Sequence, residues 1–153
     1  MRLTLMSDYA LRVLMYLGAQ TERLSTISEI SQSYGISENH LMKVVNRLSQ
    51  LGFVEAIRGR GGGLRLGKPA AEIGIGEVLR LTEEDFEIVE CFGSENACRI
   101  TGACRLKHVL RRALTAYFTE LDSWTLADLV SNRKALRAIF DSAPNLSSRN
   151  GAG

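Results

Sequence analysis

Four glycines fall within the five residues Gly59-Arg60-Gly61-Gly62-Gly63, and they bar a helix from the middle of the chain. Each interior glycine costs a helix about 1 kcal/mol relative to alanine. Short apolar segments flank the run, Phe53-Val54-Glu55-Ala56-Ile57 before it and Gly63-Leu64-Arg65-Leu66 at its end. Strand, glycine loop, strand is the signature of a β-hairpin, and Lys68-Pro69 closes it. The same glycines let the loop approach another backbone closely.

The region before the hairpin is predicted to be helical. Residues 4–19 place Tyr9, Ala10, Val13, Leu14 and Leu17 at three- and four-residue steps, giving one apolar stripe. A second helix is predicted from Ile27 to Tyr34. Thr26 and Glu29 form a capping box at its start, and Gly35 ends it where a left-handed residue is easiest to place. Ser37 caps a third helix, Glu38 to Gln50, with Leu41, Val44, Val45 and Leu48 on its buried side; Gly52 stops it. Helix, glycine turn, helix, hairpin is the order of a winged helix-turn-helix. A plain three-helix bundle with a polar outer face is the competing reading.

In a winged helix the third helix enters the major groove. Its non-core positions are Glu38, Asn39, His40, Lys43, Asn46 and Arg47. Asn39, His40 and Lys43, in the N-terminal half, are placed for base edges, and Arg47 for a phosphate. The hairpin tip Arg58-Gly59-Arg60 is narrow and cationic, which suits a minor groove. Ser37 at the helix start and Arg65 on the hairpin complete the candidate DNA contacts. The glycine run is not a nucleotide cradle, because no Gly-Lys-Ser/Thr follows it and no βαβ unit surrounds it.

The fold class expected is therefore mainly α with a small β-hairpin wing, extended by one long helix. Residues 74–82 read as a short helix. From Arg105 to Ser123, Leu106, Val109, Leu110, Ala113, Leu114, Tyr117, Phe118 and Leu121 make a broad apolar stripe. Thr125–Val130 and Lys134–Phe140 read as further helical turns. The expected organisation is a winged helix-turn-helix over residues 1–80, a loop region over 81–104, a long helix with short followers over 105–143, and a disordered tail over 144–153. The formal net charge of the 153 residues is only +2, so distribution matters more than total. Arg58, Arg60, Arg65 and Lys68 form a stripe without acids, which fits a binding face. A second basic block, Arg105, Lys107, Arg111 and Arg112, reads as solvated surface. No apolar run approaches the roughly 20 residues that cross a bilayer, and Asp8 interrupts any signal-peptide core, so a cytoplasmic protein is expected.

The chain has three cysteines, Cys91, Cys98 and Cys104, in a C-x6-C-x5-C spacing. In a reducing compartment an odd count argues for metal or redox work over disulfides. Structural zinc wants four ligands with closely spaced cysteine pairs, and no such pair exists. Thiolates in an irregular loop suit an iron–sulfur cluster better, with Gly93 and Gly102 expected to let the loop fold back and bring the sulfurs together. Three unrelated buried thiols is the other reading. No Ser/His/Asp or Cys/His catalytic set is present, and His40 and His108 are the only two histidines. An enzyme is therefore not expected, and an iron–sulfur electron carrier would have no use for a winged helix.

The opening M-R-L-T-L-M-S-D-Y-A-L-R resembles that of the Rrf-type winged-helix repressors. So do I-S-E-I-S-Q-S-Y-G-I-S-E-N-H-L-M-K-V-V-N-R-L, the wing R-G-R-G-G-G-L-R-L-G-K-P and the three-cysteine loop. Within the family the chain is most similar to the nitric-oxide-sensing iron–sulfur members, on S-E-N-H-L-M-K-V-V-N-R-L, A-C-R-L-K and F-T-E-L-D-S-W-T-L-A-D-L-V. The likeness spans residues 1–130.

The resemblance implies a homodimer joined by the helix over 105–123. It implies a cluster held by Cys91, Cys98 and Cys104, with Asp8 of the partner subunit as fourth ligand of a 4Fe–4S form. Read from the residues alone, Asp8 forms an i,i+4 pair with Arg12. The two states can alternate, which would make Arg12 a coupling residue. The first cysteine gap is longer than in several relatives. Relatives with a 2Fe–2S cluster, the alternative cofactor, place a histidine where this chain has Lys107. His108 lies one position later, turned by about 100° on a helix, and reads as a surface histidine. The implied function is a repressor bound to double-stranded operator DNA and released by nitric oxide. A sensor of iron or cluster supply on the same scaffold is the alternative.

Overall fold

The computed structural model describes residues 2–143; the expected tail over 144–153 lies outside the described residues. Seven helices and one hairpin follow in the order α1 (Leu5–Ala19), α2 (Ile27–Tyr34), α3 (Glu38–Gln50), β1 (Val54–Ile57), β2 (Gly63–Leu66), α4 (Ile75–Thr82), α5 (Arg105–Asp122), α6 (Leu126–Leu129) and α7 (Arg133–Asp141). One-turn 3-10 helices at Ala70–Glu72 and Glu90–Phe92 are the elements the sequence reading did not anticipate. None of these helices is long and apolar enough to cross a membrane.

The caps behave as the residue types dictate. The Thr4 side chain accepts from the Ser7 N–H and starts α1. The full capping box of Thr26 and Glu29 opens α2, and Gly35, at φ 66°, closes it in the left-handed region. The Ser37 side chain accepts from the His40 N–H at the head of α3. Each such cap is worth about 1 kcal/mol.

The core lies on α1. Ala10, Val13 and Leu14 are fully buried there, and Leu41, Val44 and Leu48 of α3 pack into the same cluster with Ile30 of α2 and Val78 of α4. Phe53 is fully buried just before β1. It roots the hairpin in this core, and Lys68 Nζ stands 4.7 Å from its ring centre. The hairpin is antiparallel, with Val54 opposite Leu66 and Ile57 opposite Gly63. A bridge from Ser25 to Leu64 attaches it to the chain ahead of α2.

The C-terminal helices return to the same core. Leu126, Val130 and Phe140 are buried against α1. Gly18 lets α6 approach, since a Cβ there would meet Val130 and Leu126 side chains. The Phe140 ring packs 4.8 Å from Tyr16 and 5.4 Å from Tyr34. Arg137 Nε donates to the Ala19 carbonyl at 2.6 Å and so satisfies a terminal carbonyl at the buried end of α1.

Helix α5 differs, because none of its residues is buried. It joins the rest through α4. Arg80 makes a two-pronged bond to Asp122 at 2.6 and 2.7 Å and lies 4.3 Å over the Phe118 ring. The Arg80 hydrogen bond draws the Asp122 carboxyl below its ordinary value. Gly76 makes room for this clamp, as a Cβ there would collide with the Asp122 carboxylate.

Removing the Phe53 ring leaves a cavity beneath the hairpin. Phe53→Ala should lower the unfolding free energy by about 3–5 kcal/mol in urea titration; a loss under about 1 kcal/mol would show that the wing does not depend on this anchor.

Candidate functional site

The outer face of α3 is polar and open. Asn39, His40, Lys43, Asn46 and Arg47 are all exposed. Ser37 spends its side-chain oxygen on the first turn of α3, accepting from His40 N–H at 3.3 Å, so it sets the pose of the helix. The His40 ring lies 6.2 Å from the Tyr9 ring of α1. Met42, which the sequence reading passed over, is 55% exposed on this helix. Its position between the core residues Leu41 and Val44 hid it, because methionine in an apolar stripe reads as core. Arg47, expected at a phosphate, donates to the Leu81 carbonyl of α4 at 3.1 Å.

The wing presents its tip in the expected form. Gly59 and Gly61 take φ values of 95° and 75°, a region L side chains rarely adopt. Between them Arg60 is exposed, as is Arg58. Neither makes an ion pair among the described residues. Arg65 does, donating to Glu55 across the hairpin at 2.8 Å. The two residues face each other directly in the register, a pairing invisible until the strands are aligned.

The segment from Glu83 to Cys104 holds the thiols. Cys91 and Cys104 are half-buried, Cys98 is exposed, and all three are free. Cys91 sits in the 3-10 turn Glu90–Phe92 and Cys104 at the N-cap of α5. Local bonds shape the loop: Ala97 N–H donates to Glu90 at 2.8 Å, Cys98 N–H to Asn96 at 3.0 Å, and the Thr101 hydroxyl to the Cys98 carbonyl at 2.7 Å. Arg111 stands 5.6 Å from the Phe92 ring.

By chemistry this donor set fits an iron–sulfur cluster: three free thiols in one irregular loop, with soft ligands and no competing disulfide. In this conformation the described residues bring no group of three His, Cys, Asp or Glu into a metal-holding arrangement. The sulfurs therefore do not converge within the protomer as Gly93 and Gly102 were expected to allow. The loop's own bonds, backbone turns such as Gly93 N–H to the Glu90 carbonyl and side-chain bonds such as Asn96 to Thr101, involve no thiol, so metal–sulfur bonds would have to gather the sulfurs. His108 is exposed on α5.

Asp8 faces Arg12 one turn on. The guanidinium donates at 3.0 and 3.1 Å to the two carboxylate oxygens. It also lies 6.0 Å from the Tyr9 ring and 5.8 Å from the Tyr34 ring. The Asp8 hydrogen bond holds the Arg12 guanidinium above its ordinary value. Burial pushes the Tyr34 phenol up to about 12. The same turn of α1 is stitched to the start of the cysteine segment. Thr4 N–H donates to Glu83 at 2.9 Å, and the Ser7 and Thr82 hydroxyls share a buried bond of 2.8 Å.

On α5, Leu106 and Val109 are 61% and 60% exposed, which leaves the N-terminal part of its apolar stripe open in the described protomer.

Against this geometry the comparisons are consistent. Residues 3–132 match the family model Rrf2, described as iron-dependent transcriptional regulator. The chain is 57% identical over 142 residues to the HTH-type transcriptional regulator NsrR of Bacillus subtilis, covering 92% of this chain and 97% of that protein. It is 51% identical to NsrR of Bacillus licheniformis, over 92% of this chain and 99% of the relative. Among solved structures, IscR of T. potens superposes with a TM-score of 0.68 at 25% identity, covering 86% and 88% of the two chains. CymR, the global cysteine regulator of B. subtilis, gives 0.67 at 28% identity over 86% and 98%.

If the wing tip meets DNA, each arginine there neutralises a phosphate and releases a counterion. Arg60→Ala should weaken duplex binding and reduce the slope of log affinity against log salt by about 0.9. A titration across salt concentrations reads this, and an unchanged slope removes Arg60 from the interface.

Proposed function

The chain belongs to the Rrf2 family and is a transcriptional regulator of the NsrR type; from that premise we propose a nitric-oxide-responsive repressor, a homodimer carrying an iron–sulfur cluster in each subunit. One observation carries the reading: a loop with three free thiols leaves the end of α4, and that end is hydrogen-bonded to both α1 and the recognition helix. The 57% identity to a regulator of this name over nearly the whole chain supports it.

Cys91, Cys98 and Cys104 would hold the group, with Asp8 of the partner subunit as the fourth ligand of a 4Fe–4S cluster; a 2Fe–2S form is the alternative. When bound, the cluster supplies iron that a small uncharged molecule such as nitric oxide can ligate. Everything else falls to the chain itself. An aspartate oxygen is a harder, weaker ligand for such iron than a thiolate, so Asp8 would be the residue that holds the group least tightly. Once free it can return to Arg12, with which it pairs at 3.0 Å. Arg12 in turn touches Tyr9, and Tyr9 neighbours His40 at the head of α3.

The exposed stripe on α5 supports pairing of two copies along that helix. Two winged helices would then address a two-fold operator in the cytoplasm. Asn39, His40 and Lys43 would read base edges from α3, whose pose Ser37 sets, while Arg58 and Arg60 would enter the minor groove and Arg65 lie beside the backbone. The family description, iron-dependent transcriptional regulator, favours a second reading in which the same scaffold reports iron or cluster supply.

Anaerobic protein titrated with nitric oxide separates these readings. Operator affinity should fall more than about a hundredfold as the cluster absorption changes, a coupling near 3 kcal/mol. Affinity that ignores nitric oxide but follows iron content would establish the second reading. A second expectation concerns Asp8→Ala. It should change the cluster's absorption or shorten its lifetime, while folding stability moves by no more than about 0.5 kcal/mol from the lost surface pair. Wild-type spectra and lifetime in the variant would leave Asp8 as an ion-pair residue only.

A further inference from the structure

The end of α4 collects contacts from two elements, α3 and the start of α1, within three successive residues. The Leu81 carbonyl accepts from Arg47 of α3 at 3.1 Å. The Thr82 hydroxyl is buried against Ser7 of α1 at 2.8 Å and donates to the Val78 carbonyl at 2.8 Å. The Glu83 carboxylate accepts from both the N–H and the hydroxyl of Thr4, at 2.9 and 3.2 Å. From Glu83 onward the chain runs to the cysteines.

The Leu81 carbonyl belongs to the last turn of α4, where no partner remains within the helix. Arg47 supplies the missing donor from a helix 34 positions away in sequence. A cationic residue in the last turn of a helix ordinarily serves its own terminal carbonyls. Arg47 instead reaches across to another helix, and it makes no ion pair among the described residues despite the nearby run Glu83-Glu84-Asp85. A bond to a neutral carbonyl neutralises no charge. What it supplies is direction, since a hydrogen bond weakens steeply once its angle falls towards 120°.

We propose that Arg47 is a positioning residue: by donating to the Leu81 carbonyl it fixes the recognition helix to the point where the cysteine segment leaves the fold, and so carries the state of that segment to the DNA. This rests on the reading of that segment as the place where the signal arrives. It replaces the phosphate contact expected for Arg47 from its place on the helix. A shift of the segment pulls on Leu81–Glu83, tilts the carbonyl away from the guanidinium and frees the C-terminal half of α3.

The test compares full-length wild type with Arg47→Ala, each with and without its cluster, on a duplex selected by cluster-loaded wild type from a random pool. Wild type should lose more than about a hundredfold in affinity on cluster removal. Arg47→Ala should lose less than tenfold, with the salt slope of the loaded protein unchanged. Hydrogen exchange on the cluster-loaded proteins gives a readout that needs no DNA: amides over residues 79–83 should exchange at least threefold faster in the variant, whereas in the cluster-free proteins the two should match. A wild-type affinity ratio in Arg47→Ala overturns the proposal, as does a slope reduced by about 0.9, which marks a phosphate contact. Unchanged exchange over 79–83 in the loaded variant overturns it as well. A wild-type ratio near one is a different failure, because it removes the sensing reading itself and the carrying role with it.

Discussion

After Leu5, every residue of α1 is buried or half-buried. A helix covered on all sides is the centre of a fold, and the other elements are arranged by what they place on it. Helices α3, α4, α6 and α7 and strand β2 all touch α1. At roughly 25 cal/mol per Å2 of apolar surface removed from water, this shared burial is the largest favourable term holding the protomer together. It also makes charge on α1 conspicuous. Asp8 and Arg12 are the helix's two ionisable groups of opposite sign, each about two-fifths exposed. They pair because a half-covered surface solvates lone charges poorly. On the proposed reading, a signal that returns Asp8 to Arg12 would thus act on the most densely contacted element of the fold.

Helix α5 makes the opposite bargain with water. It buries nothing in the described protomer, yet it is held firmly at one end. Arg80 reaches Asp122 with two short bonds, Phe118 lies beneath Arg80, and Phe86 meets Phe118 edge-on at 4.6 Å. On the proposed reading two inputs would converge on α4. A second copy docked along α5 would reach it through the Asp122 clamp, and the cysteine segment through Glu83. The output would then be the end of α4, where Arg47 and Ser7 make contact.

The sequence made local structure readable because local rules decide it. The capping box at Thr26, the left-handed Gly35 and the stripe on α3 each depend on residues within four positions, and each is found as expected. The wing was readable for the same reason, since glycines at positive φ announce themselves. What escaped was non-local. Nothing in residues 126–140 says that their apolar side chains complete the core of α1, because short amphipathic helices look alike wherever they pack. Nothing near Arg47 reveals a carbonyl 34 residues away, and Glu55 opposes Arg65 only once the register is known. The cysteine loop divides along the same line. Spacing and residue type suggest a soft-ligand chemistry for it, but no backbone preference brings its three sulfurs into one metal-holding group among the described residues.

In the proposed repressor, release from DNA would follow from geometry more than from charge. The whole chain carries a formal net charge of only +2, so long-range attraction to a polyanion is modest. The cations that face outward on α3 and the wing tip, Lys43, Arg58 and Arg60, make no ion pair among the described residues, and no change at the thiols alters their charge. On the proposed reading their value would depend on all of them meeting DNA together, and in a two-fold dimer on both recognition helices meeting successive turns about 34–36 Å apart. Hydrogen bonds to bases tolerate only a few tenths of an ångström before they weaken. In the proposed dimer, a small tilt at the end of α4, applied equally in both subunits, would therefore detune every base contact at once. The unspecific attraction of the arginines for phosphate is left in place.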